Sequence, residues 1–139
     1  MSKHTDPDSA EAAFYGAFEH CDLHAMQQTW EPSDTVTCIH PGGPLLQGYI
    51  DVLQSWGEIF SQTHPPEMRY RVVQRLQEQG LAVHIVEEAI RPGDSTDDPT
   101  RLIATNLYRR GADGWRMIAH HACLPLVEQW QTPPPGPVH

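Results

Sequence analysis

Four β-rich runs fill the second half of this chain with little between them: MRYRVVQRLQEQ, LAVHIVEEAI, RLIATNLYRR and GWRMIAHHACLPL. Gly80, the loop PGDSTDDPT and Gly-Ala-Asp-Gly at 111–114 separate them, the last a good hairpin turn. A meander of long antiparallel strands has to bury one of its faces. The first half supplies the cover. After a helix start at Asp8 and Glu11, Phe14, Ala17, Phe18 and Cys21 fall at i, i+3, i+4 and i+7. Asp22 caps a second, short helix carrying Leu23, Met26 and Trp30. Tyr49, Val52, Leu53, Trp56 and Phe60 mark one face of a third, which His64-Pro65-Pro66 ends. Between the last two, TVTCIH alternates as a strand and PGGP turns the chain. Helices first and strands afterwards predict an α+β fold: three N-terminal helices packed on a strongly curved, mostly antiparallel sheet, with a pocket between the layers.

Length and charge narrow the function. The 139 residues fit one domain, expected over 9–126, with tails at 1–8 and in the Pro-rich 127–139. Nine Lys+Arg against 18 Asp+Glu give a formal charge of −9, which argues against nucleic-acid or membrane-surface partners. No run approaches the 18 or so apolar residues of a membrane span. The opening MSKHTDPDSA lacks the apolar stretch of a signal peptide, so a cytoplasmic location is expected. Cys21, Cys38 and Cys123 are odd in number and widely spaced, unlike a disulfide framework or a metal knuckle.

The succession AFYGAFEHCDLHAMQQTW, VTCIHPGGPLLQG, SW-x-x-IF and ATNLYRRGADGWRMIAHHAC resembles the NTF2-like superfamily, in particular its SnoaL-like and ketosteroid-isomerase-like branch. The resemblance spans residues 9–126 and implies a cone-shaped α+β domain with an apolar pocket, homodimeric through the outer sheet face. It implies no single activity, because the fold hosts isomerases, cyclases, dehydratases, binders and assembly modules. Matched on the Asp-Leu that opens helix two, the isomerase tyrosine falls on Phe14, with Tyr15 one step round the helix. The isomerase base, which precedes a proline, falls on His40, and the oxyanion aspartate on or beside Thr105-Asn106. Phe14 cannot donate a hydrogen bond and neither Thr105 nor Asn106 is an acid, which speaks against steroid isomerisation.

Nine histidines equal Lys and Arg together, and histidine is the side chain that titrates near neutrality. His4 and His139 fall in the expected tails; His20, His24 and His64 read as solvated. His40, where an apolar strand meets the Pro-Gly-Gly turn, is a candidate proton carrier. His120 and His121 are neighbours on one strand, so only one enters the pocket. Counting outward from a hairpin centred on Ala112-Asp113 pairs Tyr108 with Met117, Asn106 with Ala119 and Ala104 with His121. A loop symmetric about Thr96 then pairs Glu88 with Ala104. One face thus carries His84, Glu88, Asn106, Tyr108 and His121; a one-residue slip would exchange Glu87 for Glu88. The expected catalytic set is His40 with Glu88 and His121 as a carboxylate–imidazole pair. Phe14, Tyr15, Trp30, Trp56, Phe60, Asn106 and Tyr108 are the expected pocket lining, with Glu87 as the alternate. No cofactor or metal is implied.

Two functions compete. One is a domain that binds a small, mostly apolar or aromatic molecule and carries cofactor-free acid–base chemistry of isomerase, cyclase or dehydratase type. The other is a non-catalytic binding or assembly module with a filled interior and an apolar outer sheet face.

Overall fold

The computed structural model describes residues 4–62 and 64–125. Three helices, α1 (Pro7–Glu19), α2 (Leu23–Thr29) and α3 (Tyr49–Gln62), accompany six strands. The strands are β1 (Thr37–Ile39), β2 (Leu45–Gln47), β3 (Glu67–Glu78), β4 (Leu81–Arg91), β5 (Thr100–Gly111) and β6 (Gly114–Cys123). They form one sheet in the order β2-β1-β6-β5-β4-β3. All neighbours are antiparallel except β1 and β6, which run parallel. This is the expected α+β architecture. The strand β2 that follows the PGGP turn is an addition to it.

Helix α1 begins earlier than expected. Asp6, not Asp8, is the N-cap: its side chain accepts from the Ser9 N–H, and Pro7 takes the first turn. Even His4 is tied down, its carbonyl accepting from the Trp115 N–H. The expected C-terminal tail, 127–139, lies outside the described residues. Helix α1 touches β3, β5 and β6. Strands β6 and β3 are three places apart in the sheet, roughly 14 Å, so the 13-residue α1, about 20 Å long, runs across the strands rather than along one of them.

Two β-bulges decide which residues face that helix. Val73 is skipped between the pairs Val72–Val86 and Gln74–Ile85. Ile118 is skipped between Leu107–Ala119 and Tyr108–Met117. A skipped residue moves every later side chain to the opposite face. Tyr108 pairs with Met117 as expected, but beyond Ile118 Asn106 pairs with His120 and Ala104 with Ala122. His120 therefore points to the covered face, 2% exposed, and His121 to the outside. The other loop differs by an even number: Glu88 pairs with Leu102 and Val86 with Ala104. An even shift preserves the face, so Glu88 is inward and Glu87 outward.

The core gathers Phe14, Met26, Trp30, Val52, Trp56, Val86, Tyr108 and Met117 between the layers. Phe14 is its hub. Its ring meets Tyr15, Trp30, Trp56 and His120 at centroid distances of 4.8, 6.4, 5.5 and 4.8 Å. Truncating a fully buried aromatic removes both transfer energy and packing. Phe14→Ala is expected to lower unfolding stability by about 3–5 kcal/mol, read from the urea midpoint at unchanged m.

Candidate functional site

Side chains that point inward from adjacent strands line up in rows across the sheet. One row runs His84, Asn106, His120 and Cys38 through β4, β5, β6 and β1. Another places Tyr70, Glu88 and Leu102 side by side on β3, β4 and β5. Helix α1 lays Glu11 and Tyr15, one turn apart, over these rows, both buried.

The polar groups so enclosed form one continuous network. The Tyr15 hydroxyl donates to Glu88 Oε2 at 2.6 Å and accepts from Asn106 Nδ2 at 3.0 Å. Asn106 Nδ2 also reaches Glu11 Oε2 at 3.2 Å. With its amide nitrogen so used, Asn106 offers Oδ1 to the His120 Nδ1–H at 2.6 Å. Glu11 further accepts from the Tyr108 hydroxyl at 2.7 Å and from His84 Nδ1–H at 2.9 Å. Two carboxyls, two phenols, an amide and two imidazoles are thereby linked, and each of the seven is at most 2% exposed. Buried polar groups persist only when bonded in this way.

Enclosure tunes the members. Burial, with a smaller push from Glu11, raises the Glu88 carboxyl from 4.5 to about 7, against the opposing pull of the Tyr15 hydrogen bond. Burial and the neighbouring Glu88 hold Tyr15 far above its ordinary value, so it remains a donor. Burial lowers His120 from 6.5 to about 3, aided by His40 and His121. His120 is thus neutral, with Nδ1 protonated and Nε2 a lone pair that has no hydrogen-bond partner among the described residues. A cavity of about 190 Å³ borders Glu88, Tyr70 and Leu102, and Arg69, Arg71, Glu87, Ala89 and Arg101, which also line it, belong to the outer face of the sheet.

The expected catalytic set is not assembled as a unit. Glu88 is inside, bonded to Tyr15. His121 is a correction: the Ile118 bulge turns it outward, where Nε2 lies 3.0 Å from Thr37 Oγ1, and His120 takes the inward place. Glu87, the alternate, sits on the outer face in an ion pair with Arg71. His40 is half-buried; since Ser55 Oγ–H donates to the Val52 carbonyl, His40 Nε2–H donates to Ser55 Oγ at 3.0 Å. Burial lowers its pKa too. Its ring packs edge-on against Trp56 at 4.7 Å, and Trp56 lies 5.9 Å from His120, so an indole separates His40 from the network. Phe14, Trp30 and Trp56 are fully packed, Phe60 half-buried. Tyr15, Asn106 and Tyr108 are in the network itself.

Glu11, His84 and His120 are the members that sequence reasoning did not assign to the site. For Glu11 a signal existed: it stands three and four residues before Phe14 and Tyr15, on the buried stripe. Asp8, Glu11 and His84 also bring three ligand-type atoms within 4.8 Å of one another. Each is already engaged, Asp8 by Arg75 at 2.9 Å and Glu11 by His84, so the group reads as an ion-pair network.

Known proteins share this arrangement of elements. A family model described as a SnoaL-like domain matches residues 8–127. A Thiobacillus denitrificans protein named for a calcium/calmodulin-dependent protein kinase type II association domain superposes with a TM-score of 0.85 at 36% identity. That match covers 90% of this chain and 99% of the other. A Streptomyces avermitilis protein named as a dehydratase of the NTF2-like family gives 0.78 at 31% identity, over 85% and 92% of the two chains. The F-box protein SKIP8 of Arabidopsis thaliana is 26% identical over 123 residues, 88% of this chain and 51% of the relative. The chain thus spans about half the length of that curated relative. With the family model covering nearly all of the described residues, the chain belongs to the SnoaL-like domain family of the NTF2-like superfamily.

Proposed function

We propose that the chain binds a small, mostly apolar molecule and moves a proton on it without a cofactor, with Glu88 as the proton carrier. One observation carries this reading: a buried carboxyl with a pKa of about 7, held by a phenol, stands in the wall of a cavity. A general base works best when its pKa lies near the working pH. Tyr15 steadies the ionised form of Glu88, and Asn106 links Tyr15 to neutral His120, a second acceptor. His40, across Trp56, is a further proton carrier at the edge of the interior. The cavity is smaller than the roughly 300–1,000 Å³ of drug-sized ligand sites, which favours a compact substrate such as a small cyclic ketone or enone.

The non-catalytic alternative draws on a different face. Val83, Ile85, Ile103 and Leu107 are half-buried on the outside of the sheet, and Leu76 beside them is 58% exposed. A homodimer through this face would cover them, and the kinship with a protein named for an association domain favours it. On this reading the domain is an intracellular assembly module and the interior network serves folding alone.

Three measurements separate these readings. Wild-type protein is expected to accelerate exchange of α-protons of small cyclic ketones and enones into D₂O, with a rate that rises with pH through about 7. Glu88→Gln lowers that rate by about 10²–10⁴-fold; absence of exchange above buffer across the panel sinks the catalytic reading. Stability gives an independent check on Glu88. The folded chain keeps its proton up to about 7, whereas the unfolded chain releases it near 4.5. Folding is therefore favoured below 4.5 and loses about 3 kcal/mol as pH rises through about 7. Glu88→Gln removes that decline. His120 acts oppositely, its contribution present above 6.5 and lost as pH falls towards about 3, so the difference between wild type and variant isolates Glu88. Finally, sedimentation equilibrium is expected to give a dimer that Leu107→Glu dissociates; a monomeric wild type removes the outer-face reading.

A further inference from the structure

In a chain with twice as many carboxylates as cations, every arginine has an easy partner. Five of the eight, Arg71, Arg75, Arg91, Arg109 and Arg116, lie within 4 Å of a carboxylate. Arg110 lies over the Trp115 ring. Among the described residues, Arg69 and Arg101 have neither. These two exceptions are not scattered. Arg69 pairs with Ala89 across β3 and β4, and Ala89 with Arg101 across β4 and β5. Because Glu88 points inward, Ala89 and its two neighbours point outward. The guanidinium side chains therefore rise on either side of a methyl group, from backbones roughly 10 Å apart.

The surface is hollow there. The 190 Å³ cavity and an adjoining depression of about 330 Å³ have three residues in common: Arg69, Ala89 and Arg101. Arg91 lines the second depression, and its Nε is buried without a hydrogen-bond partner. The nearby carboxylates are committed, Glu87 to Arg71 and Glu67 to Arg91 at 2.6 Å. What remains, among the described residues, is donor capacity without acceptors on either side of the Ala89 methyl. Guanidinium forks match carboxylate and phosphate oxygens in paired hydrogen bonds.

We propose that Arg69 and Arg101 form an oxyanion-binding site across Ala89, which takes the carboxylate or phosphate group of a small organic anion. The site borders the same cavity as Glu88 but draws on the outward-facing residues of β3, β4 and β5, so it does not require the acid–base reading to hold. It also implies that this end of the face stays open to solvent.

The test uses the full chain and inorganic phosphate, followed by acetate, at constant ionic strength. Backbone amide resonances are read by NMR. A saturable shift centred on Ala89 is expected, and added sodium chloride weakens it by screening. Arg69→Gln and Arg101→Gln each weaken binding by about tenfold or more, the loss of a charge-assisted hydrogen-bonding partner. Arg110→Gln leaves it unchanged. Preference for phosphate over acetate, or the reverse, names the anion; either supports the site. A shift that never saturates, or binding that survives the Arg69→Gln/Arg101→Gln double variant, overturns it.

Discussion

The placement of the helix layer on the sheet turns on Glu11. This carboxylate, 1% exposed, collects a phenol and an amide from β5 and an imidazole from β4. A charge in such a place is tolerable only with its hydrogen bonds complete, and removing one partner strands the others. The arrangement is correspondingly particular: α1 can neither slide nor rotate without breaking bonds to two strands. Tyr15, one turn along, is delivered to Glu88 by the same constraint. The element that closes the core is thus also the one that aims the Tyr15 phenol at the Glu88 carboxyl.

The fold was legible because periodicity survives in sequence. Phe14, Ala17 and Phe18 announce α1, Tyr49 to Phe60 announce α3, and the hairpin at 111–114 announces where β5 meets β6. The site was legible only as far as face alternation could be carried. Glu88, Asn106 and Tyr108 fell on the inward face because the 92–100 loop shifts register by an even number. His121 and His120 were exchanged because a bulged residue carries no mark of its own; Ile118 is an ordinary strand residue by type. Glu11 escaped for another reason. The spacing from Asp8 makes Glu11 a capping-box partner, and the donors that make its burial tolerable come from residues more than 70 positions away.

Inside and outside of the sheet divide the chemistry. The covered face holds groups whose charge is suppressed or shared: a carboxyl raised to about 7, an imidazole lowered to about 3, phenols kept protonated. The outer face holds groups that stay charged, including two arginines with no carboxylate partner among the described residues. Alternation along β4 separates the two worlds by a single peptide unit, Glu88 facing one way and Ala89, between its arginines, the other.

The parallel pairing of β1 with β6 has a consequence in time. Thr37, Cys38 and Ile39 take their register from Ala119, His120 and His121, some 80 residues further on and beyond the Ile118 bulge. A ribosome delivers β1 long before its partner exists, and pairing across so long a separation is slow to form. The turn that holds His40 must therefore wait, with Cys38 and Val36 uncovered, until nearly the whole domain has emerged. During synthesis this first strand is the stretch most in need of shelter, and the last long strand is what supplies it.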